Sequence, residues 1–168
     1  MTEIPSTPAD GNELVLLLPG ITDTSTITVA QLTGAGVVDI TCYLTGNGYS
    51  PTLEQQVIDD ERYCSKETYE KPGRTRRGLD VEYIDNTNTP HETDFNKAKE
   101  TLLPGSNHVV AVRRGPDYET APTAQQEFRF TPITAGEYNE LPGEANSIFK
   151  IQQKLFITGR TIRKKVTA

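Results

Sequence analysis

The chain has 168 residues, of which 35% are hydrophobic and 7% aromatic, with no Trp. That length suits one domain that builds its own core. The formal net charge of −6 argues against tight nucleic-acid binding, because neutralising phosphate takes clustered Lys and Arg.

The first stretch, Met1 to Asn12, is polar and reads as a flexible arm. It lacks the basic start and apolar run of a signal peptide, and Leu14 to Pro19 is too short an apolar run to span a bilayer, so a cytoplasmic site of synthesis is expected. Leu14-Val15-Leu16-Leu17-Leu18 predicts a short apolar strand stopped by Pro19-Gly20. Ile27 to Leu32 reads as a strand, and Gly34-Ala35-Gly36 as a turn. Val38, Ile40, Cys42 and Leu44 alternate with polar residues, the period of a half-buried strand.

Gly46 to Pro51 reads as a loop, and the whole region 46–75 as a long loop within a domain spanning 13–168. Residues 52–63 are open between a helix and a strand. Pro72-Gly73 predicts a hairpin turn, after which Leu79, Val81 and Tyr83 alternate with Asp80 and Glu82. Thr93 to Leu103 is the best helix, capped by Thr93 or Asp94 and stopped by Pro104-Gly105. Val109 to Arg113 and the Phe128/Phe130 alternation predict two strands, with Pro132 to Glu144 irregular. A final hairpin turns at Thr158-Gly159-Arg160, with Phe149, Ile151, Leu155 and Ile157 on one face. About eight to ten strands and one helix follow from this pattern. Two packed sheets with a flanking helix are the natural architecture.

Residues with catalytic potential do not converge. His91-Glu92-Thr93-Asp94 lacks the second His of a metalloprotease helix, and no serine sits in a Gly-x-Ser-x-Gly elbow. The glycine pairs at 34–36 and 46–48 lack the rest of a dinucleotide loop. Asp59-Asp60-Glu61 lacks the spacing and the glycine of a calcium loop. Cys42 and Cys64 read as semi-buried free thiols. The expectation is a chain without enzymatic activity, cofactor or metal. Charge is more informative. Glu54, Asp59, Asp60, Glu61, Glu67 and Glu70 make an acidic region. Lys71, Arg74, Arg76 and Arg77 follow as a basic block, and Arg160 to Lys165 is basic again. Such segregation fits a subunit that meets its own copies head to tail, or equally a set of solvated loops.

Three stretches carry a resemblance. They are Asp39 to Gly46 continuing through Asp59–Ser65 to Tyr69–Arg74; Val81-Glu82-Tyr83 with Asn96-Lys97-Ala98 and Val109 to Gly115; and Gly143 to Leu155 ending in Thr158-Gly159. In this order they are similar to the tail tube proteins of siphophages, over residues 25 to 168. Arg76-Arg77-Gly78 departs from that pattern. The resemblance implies a mainly β fold of two roughly orthogonal sheets, a sandwich or barrel with one flanking short helix. It implies hexameric rings whose inner sheets close into a β-barrel, stacked around a tape-measure protein and bounded by tail-tip and tail-terminator proteins. The lumen would conduct DNA without specific binding, in a virion tail assembled in the host cytoplasm with no membrane partner.

Within that frame Asp80 and Glu82 are the lumen-lining candidates, because Leu79, Val81 and Tyr83 point to the core. Asp59, Asp60, Glu61, Lys71, Arg74, Arg76 and Arg77 are the ring-stacking candidates. The acidic 54–70 region would face a basic segment of the next ring, either Lys71–Arg77 or the final hairpin. The competing reading is another β-sandwich virion component or binding module, such as a tail terminator or host-binding domain.

Overall fold

The computed structural model describes residues 3–168. Its elements are β1 (Glu13–Pro19), α1 (Val29–Thr33), β2 (Val38–Asp39), β3 (Leu44–Asp60), β4 (Tyr69–Ile84), α2 (Lys97–Thr101), β5 (Asn107–Arg114), β6 (Glu127–Glu140), β7 (Lys150–Ile157) and β8 (Ile162–Lys165). The fold is mainly β, as the sequence pattern predicts. The strands hydrogen-bond as one antiparallel sheet in the order β2-β1-β5-β6-β7-β4-β3, with β8 beside β6.

The sheet curls. Val15, Leu17, Val110 and Val112 on one half share a core with Leu79, Val81, Tyr83, Ile151 and Leu155 on the other, and Ala98 and Leu102 of the α2 region seal it. A second core forms on the opposite face, where Leu14, Leu16, Leu18, Val109, Ala111, Phe128 and Phe130 pack against Ile27, Leu32 and Val166. This explains the unbroken apolar run of β1. Odd residues feed one core and even residues the other, so no polar alternation survives.

Local chemistry overrides strand propensity in two places. Ile27–Leu32, expected as a strand, holds helix α1. Thr28 and Gln31 form a reciprocal capping box, in which the Gln31 side chain accepts from the Thr28 amide at 2.9 Å. The strand expected over 38–44 stops after Asp39, whose carboxylate accepts from the Thr41 amide at 2.8 Å and bends the chain into a 3-10 turn at Thr41–Tyr43.

The region 46–75, expected as a loop, is instead two strands. β3 and β4 pair along their length in one hairpin, and the turn lies at 61–68, not at Pro72-Gly73. The glycines and the proline that suggested a loop sit at bulges. The register shifts between Leu44 and Tyr49, and again between Gln55 and Val57, opposite Pro72-Gly73. Gly48 is buried against the opposite strand, where a side chain would run into the Glu82 carbonyl.

The expected helix over 93–103 shortens to Lys97–Thr101, with Ala98 and Leu102 buried and Phe95 exposed. The stretch from Pro132, expected to be irregular, is the middle of β6. Pro132 lies where the neighbour of β6 changes from β8 to β7, and its carbonyl accepts from Thr158 at 3.0 Å, so its missing N–H breaks no ladder bond. β8 does not fold back on β7 as a hairpin; it continues along the same side of β6.

Candidate assembly surfaces

Beyond Gly78 the β3–β4 hairpin leaves the body. Nearly every residue from Pro51 to Arg77 is exposed, on both faces. Leu53 and Val57 stand on one face and Ile58 and Tyr69 on the other, each more than half exposed. β3 is also the terminal strand of the sheet, so among the described residues one side of a 17-residue backbone has no partner strand. Long exposed edges with apolar side chains invite pairing with another chain.

The expected stacking residues gather on this hairpin. Asp59 and Asp60 end β3 and Glu61 opens the turn, and Asp60 is bound by its own Arg62 at 2.7 Å and by Lys71. The Arg62 and Lys71 hydrogen bonds hold the Asp60 carboxyl below the usual carboxylate range. Arg74 lies at the bulge, Arg76 stands opposite Glu54, and Arg77 opposite Leu53. Residues 53–78 carry six acids and six bases, so the hairpin as a whole is neutral.

Asp80 and Glu82 share the face of β4 away from Leu79, Val81 and Tyr83, as the alternation requires. Neither stands alone. Asp80 is directly opposite Lys154, and Glu82 lies 3.4 Å from Lys150 and accepts from the Thr45 hydroxyl at 2.8 Å. With Glu54 and Arg76 the acids and bases on this face balance. A groove of about 430 Å³ runs along it, lined by Glu54, Arg76, Asp80, Lys154 and Phe156.

Residues that sequence reasoning missed tie the α2 region and the β6 bulge to strands β4 and β7. Gln153 is 1% exposed. Its amide donates to the carbonyls of Leu102 at 2.8 Å and Gly136 at 2.7 Å, and its carbonyl accepts from the Tyr83 hydroxyl at 2.9 Å. Burial pushes the Tyr83 phenol far above its usual range, which keeps it a donor. The period of two through Ile151 and Leu155 already puts Gln153 inward, and a glutamine there demands partners. Tyr138 ties down α2 in the same way, donating to the Lys99 carbonyl at 2.8 Å.

Tyr49 makes a further link. Arg129 donates to its hydroxyl at 2.8 Å and lies 5.5 Å from its ring centre. Burial raises the Tyr49 phenol despite that guanidinium. Cys42 and Cys64 are both free and exposed rather than semi-buried, one before β3 and one in the hairpin turn. No group of three or more His, Cys, Asp or Glu side chains that could hold a metal occurs among the described residues. No helix among them is long and apolar enough to cross a membrane.

A family model described as phage tail tube protein matches residues 1–168. A search of curated proteins found no match. Among solved structures, the fold is similar to a chain in a cryo-EM structure of the anti-feeding prophage baseplate, 6-fold symmetrised. The identity is 13% and the TM-score 0.49, over 99% of this chain and 98% of that one.

Proposed function

Because the chain belongs to the phage tail tube protein family, we propose that it is the repeating subunit of a siphophage tail tube, in which hexameric rings stack into a hollow conduit for viral DNA. Its role is structural and not catalytic, and its place is the tail of the virion. Assembly would proceed in the host cytoplasm around a tape-measure protein, between tail-tip and tail-terminator proteins.

The observation that carries this reading is the 17-residue edge of β3, unpartnered among the described residues, on a projecting hairpin with exposed Leu53, Val57, Ile58 and Tyr69. A lone subunit gains nothing from such an edge and risks disordered aggregation. A ring in which each β3 pairs with the next subunit removes the edge, as barrel closure does. The face bearing Asp80 and Glu82 is then the lumen wall. Its lysines and carboxylates offset one another, so a passing duplex meets no net attraction that would hold it.

Negative-stain electron microscopy of the purified protein across concentration tests the reading. Rings or hollow tubes are expected. In Leu53→Ser/Val57→Ser they should vanish, while monomer stability shifts by no more than about 0.5 kcal/mol, as for other exposed substitutions. Normal tubes from that variant would show that the hairpin does not drive assembly.

A further inference from the structure

One end of the curled sheet gathers carboxylates, and the other gathers guanidinium groups on its concave side. At one end lie the segments that follow β4 and that join β6 to β7. They start side by side, since the Asp85 amide donates to the Phe149 carbonyl at 2.9 Å and the Leu141 amide to Lys150 at 3.0 Å. Residues 85–96 and 137–149 contain six carboxylates and neither Lys nor Arg. Asp85 is taken by Lys99 at 3.3 Å. Asp94, Glu137, Glu140 and Glu144 are exposed, and among them stand the exposed apolar side chains of Phe95, Ile148 and Phe149.

The opposite end is basic on the concave side of the sheet. Val112, Arg129 and Arg163 are direct neighbours across β5, β6 and β8. Arg114 and Glu127 line the same small groove of about 160 Å³. Arg77, at the root of the hairpin, shares a second hollow with Arg129 and Tyr49. Arg114 is held by Glu13 at 3.1 Å, and among the described residues Arg77, Arg129 and Arg163 make no ion pair. Facing like charges across a strand pair cost stability unless something neutralises them. Glu127 alone cannot satisfy three guanidinium groups, each with several donors.

We propose that this arginine-lined mouth receives the acidic end of a second copy, so that copies join head to tail along the strand direction. The inference rests on the tube reading and specifies which surfaces meet between successive rings. The two ends lie on the same strands, about 35 Å apart along β6 from Arg129 to Glu140. A contact between opposite ends of one subunit is heterologous, and it repeats indefinitely when it does not close. Carboxylates match guanidinium groups in geometry as well as charge. The hairpin projects past the basic end, so docking would carry Leu53 and Val57 alongside Ile148 and Phe149 of the next copy. This moves the stacking contact from that expected in sequence. In this proposal the acidic partner is the 137–144 segment and its neighbour rather than the 54–70 stretch, where Asp60 is bound within its own hairpin.

Charge exchange tests it. Arg163→Glu leaves the Arg129–Tyr49 contact intact, and Glu140→Lys/Glu144→Lys alters only exposed side chains. Circular dichroism first establishes that each variant is folded. Each alone is expected to give about tenfold less tube mass than wild type in sedimentation and electron microscopy, because like charges then meet at the joint. An equimolar mixture should recover tubes, since each variant's altered end meets the other's. Full assembly by both single variants, or folded variants whose mixture stays defective, overturns the end-to-end pairing while wild-type tubes leave the subunit reading standing. Wild-type protein that stays monomeric at its highest soluble concentration overturns both. If Arg163→Glu abolishes binding of a double-stranded DNA probe and leaves assembly untouched, the mouth serves a polyanion and the proposal falls.

Discussion

Replacing Gln153 by Leu should unfold the monomer more readily than any surface change. Leucine fills much of the same volume, so little cavity cost is expected, but three buried groups lose their partners. The Tyr83 hydroxyl and the carbonyls of Leu102 and Gly136 each lose the bond that the Gln153 side chain makes to them in the core. Each orphaned group costs about 1–3 kcal/mol, and the apolar gain of leucine offsets part of the sum, leaving about 3–5 kcal/mol. Domains of this kind hold only about 5–15 kcal/mol in total, so the midpoint temperature should fall by about 10 °C or more. Urea unfolding followed by circular dichroism and tyrosine fluorescence is suited to a chain without tryptophan. Tyr83→Phe removes one of the three bonds and should cost about 1–2 kcal/mol. The double variant should cost less than the sum, because both changes break the same bond. A loss below about 1 kcal/mol for Gln153→Leu, with the slope against urea unchanged, would refute the idea that this network joins α2 and the β6 bulge to the sheet.

Asp85 gives a pH signature. Burial raises its carboxyl, but the Thr87 hydroxyl and amide and the Lys99 ammonium outweigh that and hold it below its ordinary 3.8. A depressed folded pKa means that its stabilisation is present above the unfolded value and is lost as pH falls through the folded one. The stability gap between wild type and Asp85→Asn should therefore be constant near neutrality and start to narrow as the pH falls below about 4; a gap that stays unchanged down to about pH 2 would contradict the assignment. Gly48→Ala should loosen the root of the hairpin, because the added methyl meets the Glu82 carbonyl of the paired strand. Hydrogen exchange of the amides near Tyr49 and Val81 should quicken while the β1–β5 ladder keeps its protection, and unchanged exchange would show that the bulge absorbs the methyl.

The parts legible in sequence were those whose signal is local and periodic. Val81 and Tyr83 pointed inward because their neighbours Asp80 and Glu82 could not, and Leu14–Leu18 announced burial by sheer apolarity. Glycine and proline misled. Gly46, Gly48, Pro72 and Gly73 look like loop residues, yet they sit at bulges inside long strands, and the same residue types serve both uses. The capping box of Thr28 and Gln31 was readable in principle but was outvoted by the β-branched residues around it. The charge pattern was visible as blocks along the chain. Which blocks share an end depends on β8 running beside β6 rather than returning on β7, a non-local pairing that no window of sequence contains.

Cys42 and Cys64 flank β3, whose 17 residues span about 55 Å when extended. With both thiols free and exposed, the native chain already carries attachment points for a donor and an acceptor dye at the two ends of its longest strand. Energy transfer between them is a molecular ruler: a straight hairpin holds the dyes apart, and one that folds back onto the body brings them together. The hairpin's posture before, during and after meeting another copy thus becomes a distance that can be followed in solution without altering a single residue.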